Sequence, residues 1–313
     1  MQEIRGLDLE VSRVCNLNCA ECGRRYSSSF SGEDKKFLTP EDLLSYLEYL
    51  PKLPIVGMMG DGEPLLNPNF GELLNILSSH GIKVVLTSNG TLIDGEIVRG
   101  WKGKIDRIHV SLDSLNPERL DFLRSGSNLD QILAGLDLVR SEGIPLVINM
   151  LIFRGNIDEI VEVGGLCSLL GAKLILLVPI YYSDDLTGGF TSRPFTTPEE
   201  VALLDGSLKE LDRLGIVHNK VSPYPKIESC PFEEWPYLTM DGLLYSCTIM
   251  AGRGYKDVYY MGEPTRVECD SFLVGNIKEG FDTLWMRERY GRSRNGRNRY
   301  CNVCLVRRGL ACY

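Results

Sequence analysis

The most constraining feature of this 313-residue chain is the alternation of strand-like and helix-like segments through its first two-thirds. Apolar or β-branched runs predict strands at residues 7–14, 55–59, 82–87, 105–112, 145–153 and 173–180. One helical pattern begins at Thr39, a typical N-cap followed by proline, and others occupy residues 70–79, 94–101, 129–141, 157–170 and 198–214. Repeated strand–helix units of this kind predict parallel strands joined by right-handed crossovers.

The number of these units limits the architecture. Six units are too few for a closed eight-stranded barrel, so an opened barrel agrees better with the sequence. We therefore predict an α/β fold with a partial (β/α)6 TIM-like barrel in residues 1–220. A small cysteine-rich α+β domain is predicted in residues 221–313, where Pro, Tyr, Cys and Arg become frequent. A doubly wound open sheet is the structural alternative.

Charge and hydropathy exclude several classes of function. The chain has 34 Lys and Arg against 42 Asp and Glu, a net charge of −8, which disfavours non-specific binding to nucleic acid or anionic lipid. No apolar run is long enough to span a membrane, and the first residues lack a secretory core. We expect a cytoplasmic protein with no membrane partner, and nucleic acid is an unexpected partner.

Ten cysteines are the strongest compositional signal, and they concentrate at the two ends of the chain. Cys15, Cys19 and Cys22 follow the first predicted strand within eight residues. Three thiolates in so short a loop can bind three irons of a 4Fe–4S cube and leave the fourth iron without a protein ligand. A zinc site would need a fourth ligand, and none of the three histidines is close in sequence.

The spacing Cys-x3-Cys-x2-Cys in the first strand-to-helix loop resembles the motif of the radical S-adenosylmethionine (radical SAM) superfamily. Later strand ends carry further resemblances. Gly60-Asp61-Gly62-Glu63-Pro64 is similar to the Gly-Gly-Glu-Pro motif of that family, with Asp61 in place of a glycine. The resemblance implies that the SAM-contacting residues are Gly60, Asp61, Gly62, Glu63, Ser88 of Thr-Ser-Asn-Gly, Ser111 of Ser-Leu-Asp, Arg124 and Asn149.

The same resemblance implies a chemistry. In the family the open iron chelates the methionine part of SAM, and an electron from the cluster splits SAM into methionine and a 5′-deoxyadenosyl radical. That radical abstracts a hydrogen atom from the substrate. The electron would come from a reductant such as a flavodoxin or a ferredoxin.

The carboxy-terminal cysteines predict a second metal centre. An Asp241-Gly242 turn between apolar runs predicts a hairpin, and Cys-x2-Cys spacing at residues 301–304 suits two ligands of one centre. The arrangement resembles the Twitch/SPASM domains of some radical SAM enzymes, which implies one auxiliary 4Fe–4S cluster on Cys230, Cys247, Cys301 and Cys304. A structural zinc on the same thiolates is the alternative, and either Cys269 or Cys312 could replace a ligand.

A basic run is the remaining unusual segment. Residues 287–308 contain eight arginines against one glutamate. A solvated helix face is the simplest interpretation, cations beside the auxiliary cluster are the second, and an RNA-docking patch is the third.

The predicted function is oxidation of a small polar substrate by a radical SAM oxidoreductase, with the auxiliary cluster accepting an electron. The cysteine triplet begins at residue 15, so we expect no fused leader-binding domain, and this favours a small molecule over a peptide. A peptide-modifying maturase is the alternative enzyme, and a non-catalytic metal-binding module that docks RNA is the alternative from another class. No general acid or base is identified; the candidates at the barrel mouth are Tyr181, Tyr182, Asp184, Asp185 and Glu228.

Overall fold

The structure is a computed structural model. It describes residues 4–20, 22, 24, 36–152, 155–177, 197–219, 221, 235–248, 251, 255–260 and 263–285, with the backbone alone at 255–260 and 263–267. Several predicted features lie outside the described residues. They are the candidates at 181–185 and 228, the arginine run, Cys230, Cys301, Cys304 and Cys312.

The described elements follow the predicted alternation. The strands are β1 (Leu7–Glu10), β2 (Asn18–Cys19), β3 (Ile55–Met59), β4 (Lys83–Ser88), β5 (Ile105–Ser111), β6 (Arg124–Ser125), β7 (Leu146–Leu151), β8 (Lys173–Leu177), β9 (Tyr237–Leu238), β10 (Leu243–Tyr245), β11 (Tyr255–Tyr260), β12 (Glu263–Glu268) and β13 (Leu273–Asn276). The α-helices are α1 (Pro40–Leu47), α2 (Phe70–Ser79), α3 (Gly95–Arg99), α4 (Pro117–Leu123), α5 (Leu129–Ser141), α6 (Ile160–Leu170) and α7 (Pro198–Arg213). Short 3₁₀ turns occur at Pro64–Leu66, Ile157–Glu159, Cys269–Phe272 and Ile277–Glu279.

Local capping explains where the helices begin. Thr39 forms a capping box with Asp42 at the start of α1, and Thr197 forms one with Glu200 at the start of α7. A helix that the sequence analysis missed, α4, is capped by the side chain of Asn116. In the part of the chain that the structure describes, no helix combines the length and apolar character needed to cross a membrane.

The strand order confirms the partial barrel. The parallel strands run β1-β3-β4-β5-β7-β8 in sequence order, without the reversal that defines a doubly wound sheet. Side chains from α1 to α7 pack in one hydrophobic cluster with the residues of one sheet face, such as Leu9, Met58, Leu86 and Val110. Helices on one face and sequential strands are the arrangement of a (β/α) barrel, here with six parallel barrel strands in the described part.

The opposite sheet face, which we call the inner face, carries the polar residues. Side chains alternate along a strand, so Leu7 and Leu9 face the helices whereas Asp8 and Glu10 face inward. The parallel register sorts the inner face into three levels. The lower level holds Asp8, Gly57, Val85 and Arg107, the middle level holds Glu10, Met59, Thr87, His109, Val147 and Lys173, and the upper level holds Ser111, Asn149 and Ile175.

The carboxy-terminal part extends the same sheet. The predicted hairpin is confirmed, because β9 and β10 pair antiparallel around the turn that contains Gly242. β9 then pairs in parallel with β1, with Asp8 opposite Tyr237, and β13 pairs with β10. From the predicted second domain, β9, β10 and β13 therefore share a nine-stranded sheet with the barrel, whereas β11 and β12 form a separate two-stranded sheet. The boundary near residue 220 stays a prediction.

Asp8 joins the first strand to the carboxy-terminal part. Its Oδ1 accepts a hydrogen bond from the indole Nε1 of Trp235 at 2.6 Å, and its Oδ2 accepts one from the hydroxyl of Thr248 at 2.8 Å. Two glycines leave room for this junction. A Cβ at Gly6 would come within 2.5 Å of the Trp235 ring, and a Cβ at Gly57 would collide with Oδ1 of Asp8. Burial raises the pKa of Asp8 to about 7, although both hydrogen bonds lower it.

Asp8→Asn should change how stability depends on pH. With a folded-state pKa of about 7 against an ordinary value of 3.8, the folded protein holds a proton that the unfolded chain has released. This contribution to stability is therefore lost as pH rises towards 7. The free energy of unfolding of the variant relative to wild type should rise by about 1 kcal/mol per pH unit from roughly pH 5 to 7 and then level off.

Anaerobic urea unfolding across this pH range measures the difference. Asp205→Asn, which removes an exposed carboxylate from α7, is the matched control. Equal pH slopes for the two variants would contradict the assignment of a raised pKa to Asp8.

Candidate functional site

The cysteine loop begins directly where β1 ends. The hydroxyl of Ser12 donates to the carbonyl of Val14 at 2.9 Å and accepts from its N–H at 3.1 Å, which closes a tight turn before Cys15. Further along, the N–H of Cys22 donates to the carbonyl of Cys19 at 3.4 Å. The three predicted cluster ligands thus occupy one loop at the carboxyl end of a parallel strand, where barrels of this type bind their ligands.

The glycine-rich loop after β3 packs against the start of the cysteine loop. The N–H of Gly62 donates to the carbonyl of Ser12 at 2.9 Å, and the N–H of Glu63 donates to that of Val14 at 2.8 Å. A Cβ at Gly60 would lie 2.5 Å from the carbonyl oxygen of Ser12, and one at Gly62 would lie 2.6 Å from the nitrogen of Val14. The glycines are needed for this close approach of two backbones.

Glu63 locks two strand-end loops together. Its carboxylate is 2% exposed and accepts from Leu65 N–H at 3.1 Å, Ser88 Oγ at 2.8 Å and Asn89 N–H at 2.7 Å. Ser88 also accepts from the N–H of Gly90, so both predicted SAM-contacting side chains are engaged inside the protein. Burial raises the pKa of Glu63, and the three hydrogen bonds lower it. The Glu63 carboxylate is therefore already engaged by three donors within the protein.

Asn89 holds the first cysteine from the neighbouring loop. Its Nδ2 donates to Oδ1 of Asn16 at 2.9 Å and lies 3.9 Å from Sγ of Cys15. Its Oδ1 accepts from the N–H and the hydroxyl of Thr91, which fixes the amide orientation. Asn16 in turn donates to the Thr91 hydroxyl at 2.8 Å. The loop after β4 therefore stabilises the position of the Cys15 thiol.

Arg124 supports the cysteine loop from its other side. β2 and β6 pair antiparallel with Cys19 opposite Arg124, and the N–H of Ala20 donates to the carbonyl of Leu123 at 2.8 Å. The Arg124 guanidinium donates from Nε to Oδ2 of Asp113 at 2.6 Å. Burial lowers the pKa of Arg124, but the charges of Asp113 and Cys19 outweigh it and raise the pKa. A fixed cation thus stands beside the predicted cluster ligands.

Asp113 is itself held rigidly at the end of β5. Its Oδ1 accepts from the N–H of Leu151 at 2.8 Å, and its carbonyl accepts from Nδ2 of Asn156 at 2.7 Å. The next residues are fixed by Glu159, whose buried carboxylate accepts from the hydroxyl of Ser114 and from the N–H of Leu115 at 2.7 Å. The loop after β5 can therefore place Arg124 with little freedom.

The three thiols form a donor set that suits an iron–sulfur cube. They are partly buried and form no disulfide. Burial raises the pKa of Cys22 to about 11, and the charges of Cys19 and Asp61 add to this shift. Burial also raises the pKa of Cys19, and the charges of Asp113 and Cys15 raise it further. Within the described ranges, no three His, Cys, Asp or Glu side chains converge on one metal-ion position. A 4Fe–4S cube spreads its thiolate ligands over separate irons.

The remaining predicted contacts lie on the upper level of the inner face. Ser111 and Asn149 are direct neighbours in the parallel register of β5 and β7. Asn149 is 5% exposed, and its Oδ1 lies 3.2 Å from Nδ1 of His109. The carboxyl ends of four barrel strands, β3, β4, β5 and β7, thereby carry every predicted SAM-contacting residue except Arg124, which lies on β6. These assignments stay predictions.

For the second metal centre the structure describes one predicted ligand. Cys247 follows β10 and packs against an apolar cluster that contains Tyr237, Tyr245 and Phe272. Cys269 is fully buried in a 3₁₀ turn near the same cluster. The other predicted ligands lie outside the described residues, so the auxiliary centre stays a prediction.

Four residues of the site were not singled out from the sequence. Asn89 lies in the Thr-Ser-Asn-Gly motif and Asp113 in the Ser-Leu-Asp motif, and these motifs were the sequence signal that could have identified them. Asn16 likewise stands inside the cysteine motif, whereas His109 carried no sequence signal, because its role depends on which strands lie beside one another.

Comparison with known proteins agrees with this geometry. Residues 9–165, about half of the chain, match the family described as the Radical SAM superfamily. The chain therefore belongs to the radical SAM superfamily and is an enzyme of that class. Membership implies SAM and a 4Fe–4S cluster. That Cys15, Cys19 and Cys22 are the ligands of this cluster stays a prediction.

Among curated relatives, the AdoMet-dependent heme synthase of Methanosarcina barkeri (strain Fusaro / DSM 804) is 33% identical over 184 residues, 56% of this chain and 51% of that protein. The match thus spans about half the length of that relative. The probable GTP 3′,8-cyclase of Methanocaldococcus jannaschii is 25% identical over 262 residues, 79% of this chain and 86% of that protein. AdoMet in the first name is SAM.

A solved structure shares the fold. The crystal structure of Streptococcus suis SuiB bound to S-adenosylmethionine superposes with a TM-score of 0.67 at 18% identity, covering 99% of this chain and 73% of that chain. The likeness supports the observed architecture of barrel strands extended by a carboxy-terminal part.

Asn89→Ala should loosen the predicted cluster site. The variant loses the hydrogen bond to Asn16 and the contact with the Cys15 thiol, so the cysteine loop gains freedom. We expect iron bound by the reconstituted protein to be released to a chelator at least about tenfold faster than in wild type, as for other residues that orient metal ligands. The release is followed by absorbance under anaerobic conditions.

Asn75→Ala is the matched control, because Asn75 is exposed on α2 and bonds only to Lys104 among the described residues. Release at the same rate in both variants would contradict a supporting role for Asn89.

Proposed function

We propose that this enzyme cleaves SAM reductively and uses the 5′-deoxyadenosyl radical to oxidise a small polar substrate. The observation that carries the proposal is the set of three unbridged thiols in one loop at the carboxyl end of β1, supported by Asn89 on one side and Arg124 on the other. When bound, the cluster supplies an electron and an open iron for SAM. The residues of this chain then have to hold and orient the cofactor.

The roles of the residues follow from their positions. Cys15, Cys19 and Cys22 would hold the cluster. The backbone of residues 60–62 would receive the ammonium group of SAM, because the Glu63 carboxylate is already occupied by three hydrogen bonds. Ser111 and Asn149 would contact oxygen atoms of the cofactor. Arg124 would add positive charge beside a cluster that is anionic with its thiolates.

In the proposed oxidation, a substrate carbon bonded to oxygen or nitrogen would give a hydrogen atom to the 5′-deoxyadenosyl radical. The remaining electron would pass to an auxiliary 4Fe–4S cluster held by the carboxy-terminal cysteines, and the neighbouring O–H or N–H would lose its proton to a base. The substrate would lose two hydrogen atoms in all. A flavodoxin or ferredoxin would supply the electron that starts the cleavage of SAM.

Two observations support a small substrate and an auxiliary cluster. The two curated relatives carry names of enzymes that make heme or act on GTP, which are small molecules. Cys247, which we propose as an auxiliary ligand together with Cys230, Cys301 and Cys304, lies on a segment whose next residue, Thr248, bonds to Asp8 of the barrel. This contact would keep the auxiliary centre close to the inner face.

Peptide modification is the second candidate function. It is favoured by one comparison: SuiB, which shares the fold, has also been crystallised bound to its precursor peptide SuiA, and that structure superposes with a TM-score of 0.65. Substrates of both kinds would enter the same inner face.

Iron and sulfide quantitation tests the cofactor content. Anaerobically reconstituted wild type should bind about eight irons per chain, and the Cys15/Cys19/Cys22→Ala triple variant about four. With dithionite and SAM, wild type should form 5′-deoxyadenosine and the triple variant none. Cys167→Ala changes a buried cysteine of α6 that is no predicted ligand, and it should behave as wild type. About four irons in wild type would overturn the auxiliary cluster alone, whereas absent 5′-deoxyadenosine would overturn the whole proposal.

Isotope transfer separates the two candidate functions. Pools of deuterated polyols and amino sugars, and separately of deuterated short peptides, are incubated with enzyme, SAM and reductant. We expect deuterium in 5′-deoxyadenosine from the small-molecule pool and a product that has lost two hydrogen atoms. Deuterium transfer from the peptides alone would decide for the maturase.

A further inference from the structure

His109 is a buried histidine that no cofactor motif contains. It lies on the middle level of the inner face, on β5 between Thr87 of β4 and Val147 of β7. It is 7% exposed. A polar ring in this position needs hydrogen-bond partners, because burial of an unpaired polar group is costly.

The two partners of His109 define where its proton resides. Nε of Arg107 lies 3.3 Å from Nε2 of His109 and can only donate, so Nε2 is the acceptor. The ring proton is therefore on Nδ1, which donates to Oδ1 of Asn149 at 3.2 Å. Burial lowers the pKa of His109 to about 4; the charge of Arg107 adds to this effect, and the bond to Asn149 opposes it. A neutral ring is consistent with one donor and one acceptor nitrogen.

This tautomer determines which end of the Asn149 amide is available. Oδ1 is used by His109, so the amide nitrogen Nδ2 points to the other side. Among the residues that the structure describes, Nδ2 of Asn149 has no hydrogen-bond partner and is not one of the fully buried unpaired atoms, so it stays accessible to a small ligand. Two N–H donors thus face the upper level of the inner face, next to Ser111. An accessible amide donor at the carboxyl ends of the parallel strands is in place to bond to an oxygen atom of a ligand.

We propose that His109 is a positioning residue, which presents the Asn149 amide as a hydrogen-bond donor to an oxygen atom of SAM. The inference rests on the proposed function, because it needs SAM at the carboxyl ends of the strands. Arg107 holds the ring, the ring holds Oδ1 of Asn149, and Asn149 meets the cofactor. Without His109 the amide can rotate by half a turn and offer its oxygen instead, which would repel a ligand oxygen.

A double-mutant cycle tests whether His109 acts through Asn149. The dissociation constant of SAM is measured on the anaerobically reconstituted protein by equilibrium dialysis for wild type, His109→Leu, Asn149→Ala and the double variant. Each single variant should weaken SAM binding about fivefold to tenfold, the usual effect of one hydrogen bond. The double variant should be no weaker than Asn149→Ala, because the two residues form one unit.

Two further variants separate positioning from general support of the fold. His109→Asn places an amide N–H near the position of Nδ1 and should recover most of the affinity, whereas His109→Leu should not. His80→Leu removes an exposed histidine at the end of α2 and should leave the affinity unchanged. Iron content and the EPR spectrum of the reduced cluster without SAM should be the same in all variants.

The outcomes distinguish this inference from the proposed function. Fully additive losses, or unchanged affinity in His109→Leu while wild type binds SAM, would overturn the role of His109 and leave SAM cleavage standing. Wild type that binds no SAM would overturn both. If His109→Leu does not reconstitute, the comparison of His109→Asn with Asn149→Ala still tests the inference. If His109→Asn loses as much SAM affinity as Asn149→Ala, the role of the Nδ1 donor is overturned.

Discussion

β1 is the strand on which the rest of the structure depends, because it is hydrogen-bonded along both edges and leads directly into the cysteine loop. β3 pairs with one edge and β9 with the other, both in parallel. On its inner face, Asp8 binds Trp235 and Thr248, while Glu10 accepts from the N–H of Met240 at 3.1 Å. A shift of β1 would therefore move the cysteine loop relative to the glycine-rich loop and the carboxy-terminal hairpin at once.

Buried carboxylates fix the positions of the loops around the site. Burial raises the pKa of Asp8, Glu10 and Glu63, so each carboxylate depends on its donors. Arg13 illustrates the arrangement, because it bonds to Glu10 at 2.8 Å and to Asp241 at 2.6 Å, and so fixes the turn of the hairpin against β1. Networks of this kind add little net stability, but losing one donor leaves a buried oxygen unsatisfied at about 1–3 kcal/mol. They fix loops from different strands in one arrangement, as a site assembled from several strand ends requires.

The sequence predicted those parts of the fold that local patterns determine. Several barrel strands, such as β3, β7 and β8, are mostly apolar runs, and α1 and α7 begin at capping boxes. α4 was missed because its seven residues give little periodicity. β2, β6 and β9 are two residues long and pair with distant segments, so only the tertiary structure defines them. For the site, the motifs predicted which strand ends meet. They could not predict that Glu63 turns inward to Ser88, or that His109 contacts Asn149, because both depend on register between strands.

The register also explains how one sheet face can serve three purposes. The lower level contacts the carboxy-terminal part through Asp8, where β9 continues the sheet. The upper level, with Ser111 and Asn149, faces the predicted cofactor. The middle level lies between these two levels, two residues along each strand from either one. Its polar residues Glu10 and His109 can therefore bond to groups above or below it without contacting a ligand themselves. A fully apolar middle level would keep the barrel packed. It would also leave the hairpin turn and the Asn149 amide free to reorient. The polar residues of the middle level are therefore explained by the groups that they orient rather than by a contribution to stability.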